Sequence, residues 1–104
     1  MNDPDGAAIV KGQCGDEMEM YLIIEDDRIS KILFHSDGCG ITLACGSIVT
    51  EQANGCTIDE ALQIIPLDII NRLRKILGGN YHCAILAVIT LYKALGDYLI
   101  KRGK

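Results

Sequence analysis

Five cysteines and two histidines are the groups in this chain best suited to holding a soft metal or carrying sulfur. Three of the cysteines stand where packing does not explain them, in the strings Cys14-Gly15-Asp16, Gly38-Cys39-Gly40 and His82-Cys83. Each string falls at a turn or a helix start rather than in an apolar run. Glycine stands beside Cys14 and on both sides of Cys39, where a backbone can approach a metal or substrate closely. Asp16 and His82 add an oxygen and an imidazole donor, although Asp16 taken alone reads as a turn residue accepting backbone N–H bonds. Soft-metal binding or thiol chemistry follows from these residue types. Spacing alone does not fix the metal, since the chain has no pair of Cys-x-x-Cys knuckles of the kind that marks a structural zinc finger. The other two cysteines read differently. Cys45 lies in an apolar helix beside Ala44 and Gly46, as a small core residue does, and Cys56 follows Gly55 in a loop, so both are placed outside the site. His35 ends a strand and is expected at the surface.

The elements that must position these groups are legible in outline. Glu17 to Glu25 alternates Met18, Met20, Leu22 and Ile24 on one face, the period of a half-buried strand. Asp26-Asp27 is a turn, residues 28–36 return as the antiparallel partner, and Ala7 to Lys11 forms a third, edge strand. After Gly40 the period becomes helical, with Ile41, Leu43, Ala44, Ile48 and Val49 in a helix from about 41 to 54 that stops at Asn54-Gly55. Thr57-Ile58-Asp59-Glu60 matches a capping box that opens a short helix through about Ile65. Pro66 stops that helix and starts the next, over Leu67 to Leu77, which ends at Gly78-Gly79. A last helix begins near His82, with Ile85, Val88, Ile89, Tyr92, Leu95 and Leu99 as its core stripe. The fold class implied is α+β, a three-stranded antiparallel sheet with about four helices packed on one face. In it Cys14 precedes a strand, Cys39 joins strand to helix and Cys83 opens a helix, so three thiols can converge at one end of the sheet.

Length and composition bound the rest. A chain of 104 residues is read as a single domain over 1–104, and 49% apolar with 23% charged residues is ordinary for a globular protein. The net charge of -4 and the lack of any basic run before Lys101, Arg102 and Lys104 argue against nucleic acid or an anionic membrane as partner. Charge interrupts the apolar stretches before the roughly 18 residues of a membrane span, and the acidic start has no basic region followed by an apolar block, so the expected location is cytoplasmic. In that reducing compartment five cysteines are not a disulfide framework.

The three cysteine strings, in that order and at these intervals, resemble the signature of the IscU/NifU N-terminal family of iron-sulfur cluster assembly scaffolds. The resemblance extends to Asn2-Asp3-Pro4, the strand pair, Val49-Thr50-Glu51, the Gly-Cys-Thr-Ile-Asp-Glu-Ala-Leu segment over 55–62 and Asp97-Tyr98, nearly the whole chain. It implies a scaffold, not an enzyme, on which a [2Fe-2S] cluster is built transiently from iron and from sulfur supplied by a cysteine desulfurase, then passed to recipient apo iron-sulfur proteins. Carried over by residue, Cys14, Cys39 and Cys83 would be cluster ligands, with Asp16 and His82 as an exchangeable fourth position. The resemblance further implies Cys83 as the persulfide acceptor candidate and zinc as a frequent occupant of the site when no cluster is present. The chain departs from the family in three places. The family's amino-terminal helix has no counterpart here, so docking to a desulfurase is expected to differ. Leu77-Gly78-Gly79-Asn80-Tyr81 replaces the Leu-Pro-Pro-Val-Lys stretch that engages a dedicated chaperone in the bacterial type, and chaperone docking is not expected. Cys45 occupies a position commonly Ser or Ala, as in a short divergent branch. Assembly as a homo-oligomer is left open by the resemblance. Two alternatives stand beside the scaffold: a zinc-binding sulfur-transfer protein with Cys83 as persulfide acceptor, and a structural zinc domain.

Overall fold

The computed structural model describes residues 4–12, 15–38, 40–74 and 81–102. Three strands form one antiparallel sheet in the order β1-β2-β3: β1 Gly6–Lys11, β2 Glu17–Glu25 and β3 Arg28–Ser36. Four helices follow among the described residues, α1 Gly40–Ala53, α2 Ile58–Leu62, α3 Pro66–Arg72 and α4 Tyr81–Arg102.

The β2–β3 hairpin turns at Asp26 and Asp27, whose φ values of 53° and 63° put both central residues in the left-handed region. That geometry matches the twist of the flanking strands, and Asp tolerates it better than most side chains do. Within the hairpin the register slips once. Ile23 faces Lys31 but Ile24 faces Ile29, leaving Ser30 as the extra residue of a bulge, with its hydroxyl donating to the Ile23 carbonyl at 3.2 Å. The slip keeps Ile29 on the inner side with Ile32 and Phe34, while Leu33 points outward.

Met18, Met20, Leu22 and Ile29 of the sheet are fully buried against Cys45 and Val49 of α1, Ile69 of α3 and a long run of α4. Each such side chain contributes about 1.5–3 kcal/mol over leaving it in water. α4 lies along β1 and β2 while α1 covers β3, so the helices share one face of the sheet. The residues of α4 that make this contact are Ala84, Ala87, Val88, Leu91, Ala94 and Leu95, all fully buried. This corrects the expected stripe: Val88 and Leu95 belong to it, whereas Ile85, Ile89 and Leu99 are exposed and Tyr92 lies at its margin. Alanines carry little hydrophobic weight in a sequence pattern, yet they let the helix backbone approach the sheet. Contrary to the expectation that charge interrupts every apolar stretch, α4 is long and apolar enough to cross a bilayer by length and composition, but half of its most apolar stretch is buried inside the fold.

The capping box forms as expected, with the Thr57 hydroxyl accepting from the Glu60 N–H and Glu60 accepting from the Thr57 N–H at 2.9 Å. Two boundaries shift. α2 ends at Leu62 rather than Ile65, and α3 ends at Arg72, short of Leu77. Residues 75–80, with the Gly78-Gly79 stop and most of the segment compared with the chaperone motif, lie outside the described residues.

Candidate functional site

The site lies where the loop before β2, the end of β3, the start of α1 and the start of α4 meet. The loop before β2 is tied by the Gly12 N–H donating to the Asp16 carbonyl and the Gly15 N–H donating to the Gly12 carbonyl at 3.1 Å. Gly15 has φ of +86°, a conformation a side chain would strain, so this glycine is fixed by its turn. Across the sheet, the Ser36 hydroxyl donates to the Glu17 carbonyl at 2.6 Å and the Glu17 N–H donates to Asp37 at 3.0 Å. The Gly38 N–H donates to the Ser36 hydroxyl at 3.1 Å. These bonds hold the entry of β2 against the exit of β3, and with them Asp16 beside Gly38.

Thr42, in the first turn of α1 and fully buried, completes the cluster. Its hydroxyl donates to Asp16 Oδ2 at 3.0 Å and lies 3.4 Å from Cys83 Sγ. With the hydroxyl proton given to the carboxylate, the thiol of Cys83 is the donor in the second contact. Gly38 packs so tightly here that a Cβ on it would sit 2.8 Å from the Thr42 side chain and 3.0 Å from Asp16 Oδ2. A Cβ on Gly40 would meet nothing within 4 Å. The two glycines around Cys39 therefore differ: Gly38 is required by close packing, and Gly40 is not.

Of the residues singled out from the sequence, the structure brings Asp16 and Cys83 together through Thr42. Cys83 is 3% exposed, so this thiol sits beneath the surface rather than on it. His82, half-buried beside it in the first turn of α4, lines a cavity of 190 Å³ with Val10, Lys11, Gly12, Ile85 and Ile89. Gly12 is bonded to Asp16, so that cavity borders the same loop. Cys14 and Cys39 lie outside the described residues; their chain neighbours Gly15, Gly38 and Gly40 are described. Among the described residues alone, no three His, Cys, Asp or Glu side chains gather as a metal would need. Cys45 is fully buried in the core, as expected of a small core residue, and Cys56 donates its thiol to the Gln52 carbonyl at 3.1 Å. His35 is exposed, also as expected.

Thr42 is the contributor that sequence reasoning missed, while Gly38 was marked for close backbone approach to a metal rather than for this packing. Thr42 is neither a ligand type nor a strong core residue, and its signal is faint: a hydroxyl on the face of α1 that otherwise carries Cys45, Gly46 and Val49 into the core.

Comparison with known proteins bears on the family and the fold. The chain is 38% identical over its whole length to the iron-sulfur cluster assembly scaffold protein IscU of Archaeoglobus fulgidus, spanning 69% of that protein. It is 37% identical over 86% of its length to the protein of the same name from Escherichia coli, of which it spans 70%. Among solved structures, a NifU-like amino-terminal protein of Brucella abortus superposes with TM-score 0.77 at 16% identity, over 97% of this chain and 83% of that one. An assembly scaffold protein of the SUF system from Fervidobacterium islandicum superposes with TM-score 0.73 at 24% identity, over 91% of this chain and 83% of that one. Both show the same fold. The NifU-like N-terminal domain profile matches residues 2–104, and this chain belongs to that family.

Proposed function

We propose that the protein is a scaffold on which an iron-sulfur cluster is assembled and from which it is handed to recipient proteins. The observation that carries this reading is the convergence of all three cysteine-bearing segments. Asp16, Gly38 and Cys83 meet around the Thr42 side chain, and Asp16 and Gly38 belong to the short strings that contain Cys14 and Cys39. The names of the relatives, assembly scaffold proteins, support it and favour it over the zinc-based sulfur-transfer reading.

In this reading the cluster is [2Fe-2S] and is cargo. Cys14, Cys39 and Cys83 supply thiolates, which suit iron-sulfur chemistry, and Asp16 or His82 supplies the fourth donor. A carboxylate or imidazole there holds iron less firmly than a fourth thiolate, as a protein that must release its cargo requires. Sulfur arrives from a cysteine desulfurase, with Cys83 as acceptor, and zinc fills the same donors when no cluster is present. The setting is the reducing cytoplasm, where these thiols stay free.

The test is anaerobic incubation with ferrous iron, cysteine and a desulfurase, followed by iron and acid-labile sulfide analysis and the visible spectrum. The expected result is a [2Fe-2S] chromophore that Cys14→Ala, Cys39→Ala and Cys83→Ala each abolish. Absence of any chromophore in the wild type would overturn the reading.

A further inference from the structure

Among the described residues, two hydroxyls are fully buried, and they are used differently. Thr90 donates to the Leu86 carbonyl one turn back in its own helix, an ordinary way to satisfy a helical threonine. The Thr42 hydroxyl instead reaches side chains 26 and 41 residues away in the sequence, on the loop before β2 and on α4. Packing does not demand the oxygen at this position, because valine has the same shape. A buried hydroxyl costs free energy unless it is bonded, and here its bonds go to two proposed cluster ligands.

We infer that Thr42 is a positioning residue for cluster binding. By donating to Asp16 Oδ2 while resting against Cys83 Sγ, it fixes the carboxylate's orientation and its separation from the sulfur before any iron arrives. Residues that hold ligating side chains in this way typically matter by roughly 10–100-fold in metal affinity when removed. A carboxylate has further lone pairs beyond the one Thr42 occupies, so the bond to Thr42 is compatible with ligation. The inference rests on the scaffold reading and adds to it a residue that is itself no ligand.

Cobalt(II) titration of the purified, reduced protein tests it, because thiolate-to-cobalt charge-transfer bands report the sulfur ligands and ligand-field bands report the remaining donors. Thr42→Val is expected to weaken cobalt binding by roughly 10–100-fold and to alter the ligand-field bands while the charge-transfer bands persist. Thr42→Ser, which keeps the hydroxyl, is expected to restore affinity and spectrum. In an Asp16→Ala background, adding Thr42→Val is expected to change affinity by no more than about 2-fold, the mark of two residues acting as one unit. Thr42→Ala repeats the comparison without an added β-branched methyl should the valine variant not fold. Wild-type affinity in the hydroxyl-free variants would overturn the inference. So would an equally large loss with Asp16 already removed, or a loss in Thr42→Ser as large as in Thr42→Val. Failure of the wild type to bind cobalt through thiolates would remove the scaffold reading as well, which separates the two.

Discussion

Substituting the two glycines that flank Cys39 separates packing from flexibility as the reason they are there. At Gly38 an added methyl would stand 2.8 Å from both Cβ and Cγ2 of Thr42 and 3.0 Å from Asp16 Oδ2. Carbon atoms in contact want about 3.5–4.0 Å. Thr42 is fully buried and bonded on two sides, so it cannot swing away, and the loop or the start of α1 must move by close to an ångström. Overpacking of this kind costs about 1–3 kcal/mol. In a domain of this size each kilocalorie lowers the melting temperature by about 4–8 °C, so Gly38→Ala should melt roughly 5–20 °C below the wild type. At Gly40 the added methyl meets nothing, and alanine is the better helix former, so Gly40→Ala should melt at or above the wild-type temperature. Thermal denaturation of the metal-free proteins, followed by far-ultraviolet circular dichroism, measures both. Equal melting temperatures for Gly38→Ala and the wild type would show that the segment yields without cost and would refute the packing argument. A large loss at Gly40 would refute it from the other side.

Two further predictions concern the frame around the site. Asp97 accepts from the Lys101 ammonium and from the Ala7 N–H, both at 3.0 Å, and these hold its carboxyl below the ordinary value. A lowered folded-state value stabilises the fold above the unfolded carboxyl's range, and that contribution is lost as pH falls through the folded value. Asp97→Asn should therefore be less stable than the wild type near neutrality and converge with it in acid, read from urea midpoints across pH; a difference independent of pH would contradict the assignment. Thr57→Ala should lose about 1 kcal/mol by removing the cap of α2, read as a lower urea midpoint, and leave cobalt affinity unchanged because α2 does not reach the site.

Much of the fold could be read from local chemistry. The β2–β3 hairpin was legible because strict alternation flanks two residues that accept positive φ, and α2 because a Thr and a Glu three apart satisfy each other's backbone. The seam of α4 was not legible, since isoleucines at 85 and 89 outweigh alanines at 84, 87 and 94 in any count of hydrophobicity, whereas closeness of approach decides which side faces the sheet. At the site, Asp16 and Cys83 were legible as donor types. Thr42 was not, because its importance comes from where two distant segments meet it. Gly38 was marked correctly but for a different reason: it is needed to pack against Thr42 and Asp16.

The central claim, that a cluster is held here only to be given up, is tested most directly by transfer. The reconstituted protein is mixed anaerobically with an apo [2Fe-2S] ferredoxin in the presence of an iron chelator, and the circular dichroism of the holo-ferredoxin is followed. The account predicts that holo-ferredoxin appears at the rate the scaffold's own signal decays, with little iron reaching the chelator. A cluster that stays on this protein, or one that reaches the ferredoxin only as released iron and sulfide, would contradict it.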